Sequence, residues 1–282
     1  MEGGVHMYCI NLKHRADRWQ RFSEQPELKR LMKDYTFERF EAINGSALDI
    51  PKDDRISLRT KRNIREHVRR DHEELDSAGG VGCYLSHTAV WKAFLERPES
   101  YAIIFEDDAM IPVGFTEDLQ AAMKDATLLP SPPDVWYFSK ASTWYFDYKG
   151  MPNPYTVKEQ NLGPWTTKTC ASFTGYLISK KGAEKLLETA FPIDMHVDLY
   201  SCLVGELDRI LTVSYRDLEV KPYALKMGDT DIQVAADCPI CNVPTRYEKR
   251  GMVVVSLPAL VIGLATVGVL YTLANSKRFA RR

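Results

Sequence analysis

The chain has 282 residues, of which 45% are hydrophobic and 27% charged, with a formal net charge of −1. This is the composition of an ordinary globular protein, long enough for one large domain or two small ones. A balance so near neutrality leaves no electrostatic footprint for nucleic acid, which is not expected as a partner.

Met7 to Leu12 reads as a first, buried strand. Asp17 to Leu31 carries Trp19, Phe22, Leu28 and Leu31 among charges, a helical pattern interrupted by Pro26. Phe37 to Ile43 alternates and ends at Asn44-Gly45, so it predicts a second strand and a turn. Asp49 to Asp76 is a highly charged insertion with eight basic residues, expected to form a solvated helix or mobile loop. Gly79, Gly80 and Gly82 introduce a predicted helix from about Cys83 to Glu96, closed by Pro98.

Ala102-Ile103-Ile104-Phe105 then forms a β-branched and aromatic run that ends in Glu106-Asp107-Asp108. A helix through Phe115, Leu119, Ala122 and Met123 follows, then a strand over Asp134 to Ser139. Thr143 to Thr169 is a long aromatic connection, of the length usual for lids and binding loops. Ala171 to Ile178 predicts a strand, Ser179 caps a helix, Leu199 to Val204 reads as helical, and Ile210 to Tyr215 is a last strand. Strands and helices alternate throughout, which implies an α/β sheet with helices on both faces.

The C-terminal region differs. Met252 to Ala274 is 23 residues without a charge, and about 20 suffice to cross a bilayer core. The expected organisation is a folded domain over 1–220, a juxtamembrane linker over 221–250, a transmembrane tail anchor over 251–275 and a short basic tail over 276–282. Basic residues flank both ends of the anchor. Met1 to Val5 lacks the pattern of a signal peptide, so the domain is expected in the cytosol, although the positive-inside count slightly favours the reverse. Cys9, Cys83, Cys170 and Cys202 read as small buried hydrophobes. Cys238 and Cys241 form a single CxxC, too little for zinc by itself.

The acidic triplet is the strongest chemical signal. Carboxylates at the carboxyl end of a buried strand lie where ligands bind in open α/β sheets. They are also what a hard divalent cation needs. The bland alternative is a solvated acidic turn.

Several landmarks stand in order around it. Ile10-Asn11-Leu12 is followed by Arg15, Asp17 and Arg18, then by Arg39-Phe40-Glu41-Ala42-Ile43-Asn44-Gly45. Next come Gly82-Cys83-Tyr84-Leu85-Ser86-His87 with Trp91, the acidic strand, Gly175 to Ser179 with Gly182-Ala183, and Pro192 to Asp198. Over roughly residues 6 to 215 this series resembles glycosyltransferase family 25. The resemblance implies a GT-A-like fold, a nucleotide-sugar donor, usually UDP-linked, a divalent cation such as Mn²⁺ (or Mg²⁺), and transfer with inversion to a glycan or protein acceptor.

On that resemblance Glu106 and Asp108 would hold the cation, with Asp107 turned toward ribose or sugar hydroxyls. Inversion requires a carboxylate to take the acceptor proton. Asp198 is the first candidate and Asp194 the second, Asp194 having also the simpler role of helix cap. His196 is read as a further cation ligand. Asn11, Arg15 and Arg18 follow the first strand and would meet the nucleotide, Arg18 reading equally as a surface charge. Ser86 and His87, placed in the first helical turns after the glycines, would favour an anion there, His87 reading equally as a satisfied core histidine. Trp144, Tyr145, Phe146, Tyr148, Tyr155 and Trp165 would suit sugar stacking or simply pack the long loop. A Mg²⁺-dependent phosphohydrolase or nucleotidyltransferase, and a non-catalytic binding module, stay open as other readings of the same residues.

Overall fold

Alternation along the first strand sets the architecture. In the computed structural model, which describes residues 3–68, 74–139, 160–167, 172–216, 218–223 and 232, β1 (Val5–Asn11) buries both its faces. Met7 and Cys9 enter one hydrophobic core, Tyr8 and Ile10 the other. The acidic strand β3 (Tyr101–Glu106) repeats the split, with Ile103 and Phe105 on one side and Ala102 and Ile104 on the other. Successive side chains of a strand point to opposite faces, so a strand apolar at every position needs cover on both.

The sheet among the described residues has eight strands. Besides β1 and β3 it contains β2 (Thr36–Glu41), β5 (Val135–Tyr137), β6 (Gln160–Leu162), β7 (Trp165–Thr167), β8 (Gly175–Ser179) and β9 (Thr212–Tyr215). Their order is β2-β1-β3-β8-β5-β9-β7-β6. β2, β1 and β3 are parallel, whereas β8 runs antiparallel to both β3 and β5. The sheet is therefore mixed. A short separate ladder pairs β4 (Ala109–Met110) with β10 (Lys221–Pro222).

Helices cover both faces, as the alternating pattern implied. Leu28, Leu31, Phe115, Leu119 and Ala122, from α2 (Pro26–Asp34) and α5 (Phe115–Asp125), pack with Phe22 of α1 (Ala16–Ser23) in the core that holds Met7 and Phe105. The opposite core is built by α4 (Ala78–Leu95), α6 (Lys180–Glu188) and α7 (Val197–Glu206). The break at Pro26 and the Ser179 cap of α6, whose hydroxyl accepts from the Gly182 amide, both follow the sequence reading.

The glycine-rich segment differs from it. α4 starts at Ala78, not near Cys83, and Ser77 caps it by accepting from the Gly80 amide. The glycines lie inside the helix, where each costs about 1 kcal/mol relative to alanine. Close packing explains Gly82. A Cβ on Gly82 would stand 2.6 Å from the Gly45 nitrogen, and one on Gly45 would stand 1.7 Å from the Ala78 carbonyl oxygen. The 43–47 segment thus lies directly against the helix.

The charged insertion also has a definite place. Ser57 caps α3 (Leu58–Glu66), and Thr60 and Asn63 of this helix are buried. Thr60 donates to the Ile193 carbonyl, and β-bridges join Ile56 to Ile193 and Glu74 to Met195. The insertion clamps the chain segment that leads into α7 rather than standing in solvent as a free helix.

Trp165 is buried rather than offered for stacking. It meets Trp136 and Tyr215 at ring distances of 4.8 and 4.9 Å, and its indole donates to the Asp125 carbonyl. The other five loop aromatics lie outside the described residues, as do 251–275. No helix among the described residues is long and apolar enough to cross a membrane. Cys9 and Cys83 are free, but Cys202, read above as a free hydrophobe, is disulfide-bonded.

Candidate active site

β1 and β3 lie side by side in parallel, so their carboxyl ends emerge together, with Ile10 opposite Glu106. The acidic triplet is therefore set beside Asn11. Asp107 accepts from Asn11 Nδ2 at 2.6 Å and from Arg18 Nη1 at 3.1 Å. Asn11 Oδ1 in turn accepts from Arg39 Nε at 3.0 Å. Burial raises the Asp107 pKa, and the Asn11 and Arg18 contacts work against that rise. Asn11 and Arg18, expected at the nucleotide, and Asp107, expected at hydroxyls, are thus joined to one another. Their network fixes the strand end.

Asp108 follows on the turn. Its Oδ1 is buried without a hydrogen-bond partner. Burial first, then the charges of Glu106 and Asp107, hold its pKa well above the usual carboxylate range. The backbone around it is held from two sides. The Gln25 side chain donates to the Ala109 carbonyl and accepts from the Ile111 amide, both at 2.8 Å. The Tyr223 amide donates to the Asp108 carbonyl at 2.6 Å.

Glu106 is reached from α4. Its Oε1 lies 3.2 Å from His87 Nε2 and 3.6 Å from Cys83 Sγ. His87 is fully buried, and its Nδ1 lies 2.9 Å from the Tyr176 hydroxyl, which also accepts from the Trp91 indole at 2.8 Å. A chain from Trp91 through Tyr176 and His87 thus ends on the Glu106 carboxylate. Ser86 and His87 stand in the third turn of α4, away from its amino end. The anion-binding argument made for them fails for that reason. Ser86 instead accepts from the Ile43 amide at 2.8 Å and donates to the Gly82 carbonyl.

A cavity of about 240 Å³ opens over this strand end. Arg18, His87 and all three acids line it, together with Leu12, His14 and the 43–46 segment. Arg15 is not among the lining residues; it grips the exposed Asp17 through Nε and Nη2 at 3.0 and 2.9 Å.

The second acidic segment divides in two. Asp194 does not cap α7, whose N-cap is His196 and carries no side-chain cap bond. The Asp194 carboxylate accepts from Ser57 Oγ at 2.6 Å and from Arg59 Nε at 2.9 Å, so the clamp described above consumes it. Asp198 lies in the first turn of α7 and accepts from the Leu199 amide at 2.8 Å. Burial is the main cause that pushes its pKa to about 6; the Glu106 charge adds to the rise and His87 opposes it. It therefore shares an electrostatic neighbourhood with the acidic strand end. His196 is absent from the one tight group of ligand atoms found among the described residues, which is Cys83, His87 and Glu106.

Sequence reasoning missed Cys83, Tyr176, Arg39 and Arg59. The i, i+4 spacing of Cys83 and His87 was a usable signal. Tyr176 and Arg39 stand in the ordered landmarks without showing a role there, and the partner of Arg59 lies 135 residues away.

Residues 5–201 match the profile of glycosyltransferase family 25 (LPS biosynthesis protein). Procollagen galactosyltransferase 1-A of Xenopus laevis is 25% identical over 86% of this chain and 36% of its own length. Procollagen galactosyltransferase 2 of Homo sapiens is 24% identical over 87% and 36%, respectively. A glycosyltransferase 25 family member of Aedes aegypti is 26% identical, again over 87% of this chain and 36% of its own. The chain spans about a third of the length of these relatives. With the profile covering well over half its residues, this chain belongs to glycosyltransferase family 25.

Proposed function

We propose that the protein transfers a hexose, galactose or glucose, from a UDP-sugar to a hydroxyl of a glycan or protein acceptor, with inversion and with a divalent cation. One observation carries the reading. Three carboxylates end a single strand at the wall of a cavity, and one of them presents a buried oxygen without a partner. Like charges so close oppose one another's ionisation. A hard cation relieves that opposition, and oxygen donors are its preferred ligands. The residues therefore fit Mn²⁺ or Mg²⁺, which Glu106 and Asp108 would hold. When bound, such an ion neutralises charge on a departing nucleoside diphosphate.

The protein's own residues divide the remaining work. Asn11, Arg18 and Arg39 fix Asp107 and with it the direction of its two acidic neighbours. The part of the cavity lined by Leu12, His14 and the 43–46 segment is offered to the nucleoside. Asp198 accepts the proton of the acceptor hydroxyl, a role favoured by a pKa of about 6, which leaves it ionised yet basic at neutral pH. Galactose is the preferred sugar because relatives bear that name. The uncharged stretch 252–274 would keep the enzyme at a membrane.

The test is UDP release from a panel of UDP-sugars by the full chain in detergent, with Mn²⁺, with EDTA, and in an Asp108→Asn variant. Release from one donor, lost with EDTA and in the variant, is the expected result. Release that survives both treatments would remove the cation and the acidic strand from the reaction.

A further inference from the structure

Cys83 and His87 stand one helical turn apart on α4, so their side chains leave the same face. Both line the cavity, and both approach the same Glu106 oxygen, at 3.6 and 3.2 Å. The three ligand atoms lie within 4.8 Å of one another. We propose that Cys83, His87 and Glu106 form a binding site for a borderline divalent cation of the Zn²⁺ class.

The donor set selects the ion. Hard cations take oxygen ligands, whereas a sulfur, an imidazole nitrogen and one carboxylate suit zinc or cobalt. Three protein ligands leave a fourth position open toward the cavity. The imidazole is already oriented, since Tyr176 holds Nδ1 and thereby directs Nε2 toward Glu106. A partner on the far ring nitrogen is the usual support of a ligating histidine. Tyr176 is itself fixed by Trp91.

The protons balance. Without the ion, the Cys83 thiol and the His87 Nε2–H point at Glu106. On binding, the thiol proton leaves to solvent and the thiolate takes the metal. His87 stays neutral; its proton moves to Nδ1, where the Tyr176 oxygen accepts it. The site stands whether or not the protein transfers sugars. If Glu106 also serves a hard cation during transfer, the two ions compete for one carboxylate.

Co²⁺ alone is the probe, added to the full-length protein, because a thiolate ligand gives cobalt a charge-transfer absorption. The band is expected in the wild type and in Cys238→Ser/Cys241→Ser, which removes the CxxC pair. It is expected to vanish in Cys83→Ser. Glu106→Gln leaves the buried helix face intact and is expected to weaken Co²⁺ binding about tenfold or more. Zn²⁺ should raise the melting temperature of the wild type and not that of Cys83→Ser. A band that persists in a folded Cys83→Ser protein, that disappears with the CxxC pair, or that never forms would overturn the site. Unweakened binding in Glu106→Gln would do so even if Cys83→Ser failed to fold.

Discussion

Asn11 Nδ2 lies 2.6 Å from Asp107 Oδ2, joining the ends of two parallel strands whose residues are 96 positions apart. The amide is suited to the place because it serves Asp107 as donor and Arg39 as acceptor at once. Asn11→Asp would keep the shape and set a second carboxylate against Asp107. A buried acceptor left facing an acceptor costs about 1–3 kcal/mol. The variant should melt at lower temperature at pH 7 and recover part of the loss at pH 5, as one carboxyl takes up a proton. Equal melting of variant and wild type across that range would remove Asn11 from the support of the acidic strand end.

In the role proposed above, Asp198 ties function to instability. Its carboxyl is held at about 6 against an ordinary value of 3.8. A raised carboxyl pKa means that the ionised form is the less stable one in the fold. At neutral pH the penalty is on the order of 3 kcal/mol, and it fades as the pH falls through 6 toward 4. Asp198→Asn should therefore fold at least as stably as the wild type at pH 7.5 while losing about 10²–10⁴-fold in transfer rate. Wild-type transfer should decline as the pH drops through 6. A variant of undiminished rate would exclude Asp198 as the base.

Glu27 acts in the opposite sense. It is buried on α2 and accepts from the Thr116 amide at 2.9 Å and from the Thr116 hydroxyl, at the amino end of α5. Burial works to raise its pKa, but the Thr116 and Gly114 donors and Arg30 overcome burial, and the net direction is downward. Its contribution is therefore complete above the unfolded value near 4.5 and is lost as the pH falls through the lower folded value. Glu27→Ala should destabilise by about 1–3 kcal/mol at pH 7 in chemical denaturation. The gap between variant and wild type should narrow below pH 4. A gap independent of pH would assign the loss to packing rather than to the carboxylate.

Arg59 holds the segment that carries Asp194 onto α3, through a two-pronged contact with that carboxylate. The pair is substantially exposed, so its own worth in stability is at most about 1 kcal/mol. Its weight lies in where the chain enters α7. Arg59→Ala should lower kcat more than it lowers the melting temperature. Arg59→Lys should rescue poorly, since an ammonium cannot reproduce the fork. A full rescue by lysine would reduce the contact to simple charge.

How much of this was legible in the sequence depended on range. The strand ending in Glu106-Asp107-Asp108 was readable because β-branched runs and consecutive acids are local signals. The break at Pro26 and the Ser179 cap were readable for the same reason. The start of α4 was not. Closely spaced glycines are read as a helix breaker, and only the packing of the 43–47 segment against Gly82 shows why the helix needs a glycine there. Asp194 was assigned to capping or chemistry because its partner, Arg59, lies 135 residues earlier. His87 and Tyr176 are 89 residues apart, so the support behind Glu106 had no pattern to be read from. Trp165 looked like a loop aromatic until the sheet placed it between Trp136 and Tyr215.

The position of β9 sets the edge of the folded sheet beyond the edge of the family profile. The family profile ends at residue 201, but β9 begins at Thr212 and fills the sheet between β5 and β7. β10, later still, closes over the backbone of the acidic turn through β4 and the Tyr223 amide. A fragment cut where the profile stops would lack an interior plank of its own sheet. The profile thus ends about ten residues short of a strand that the interior of the sheet requires.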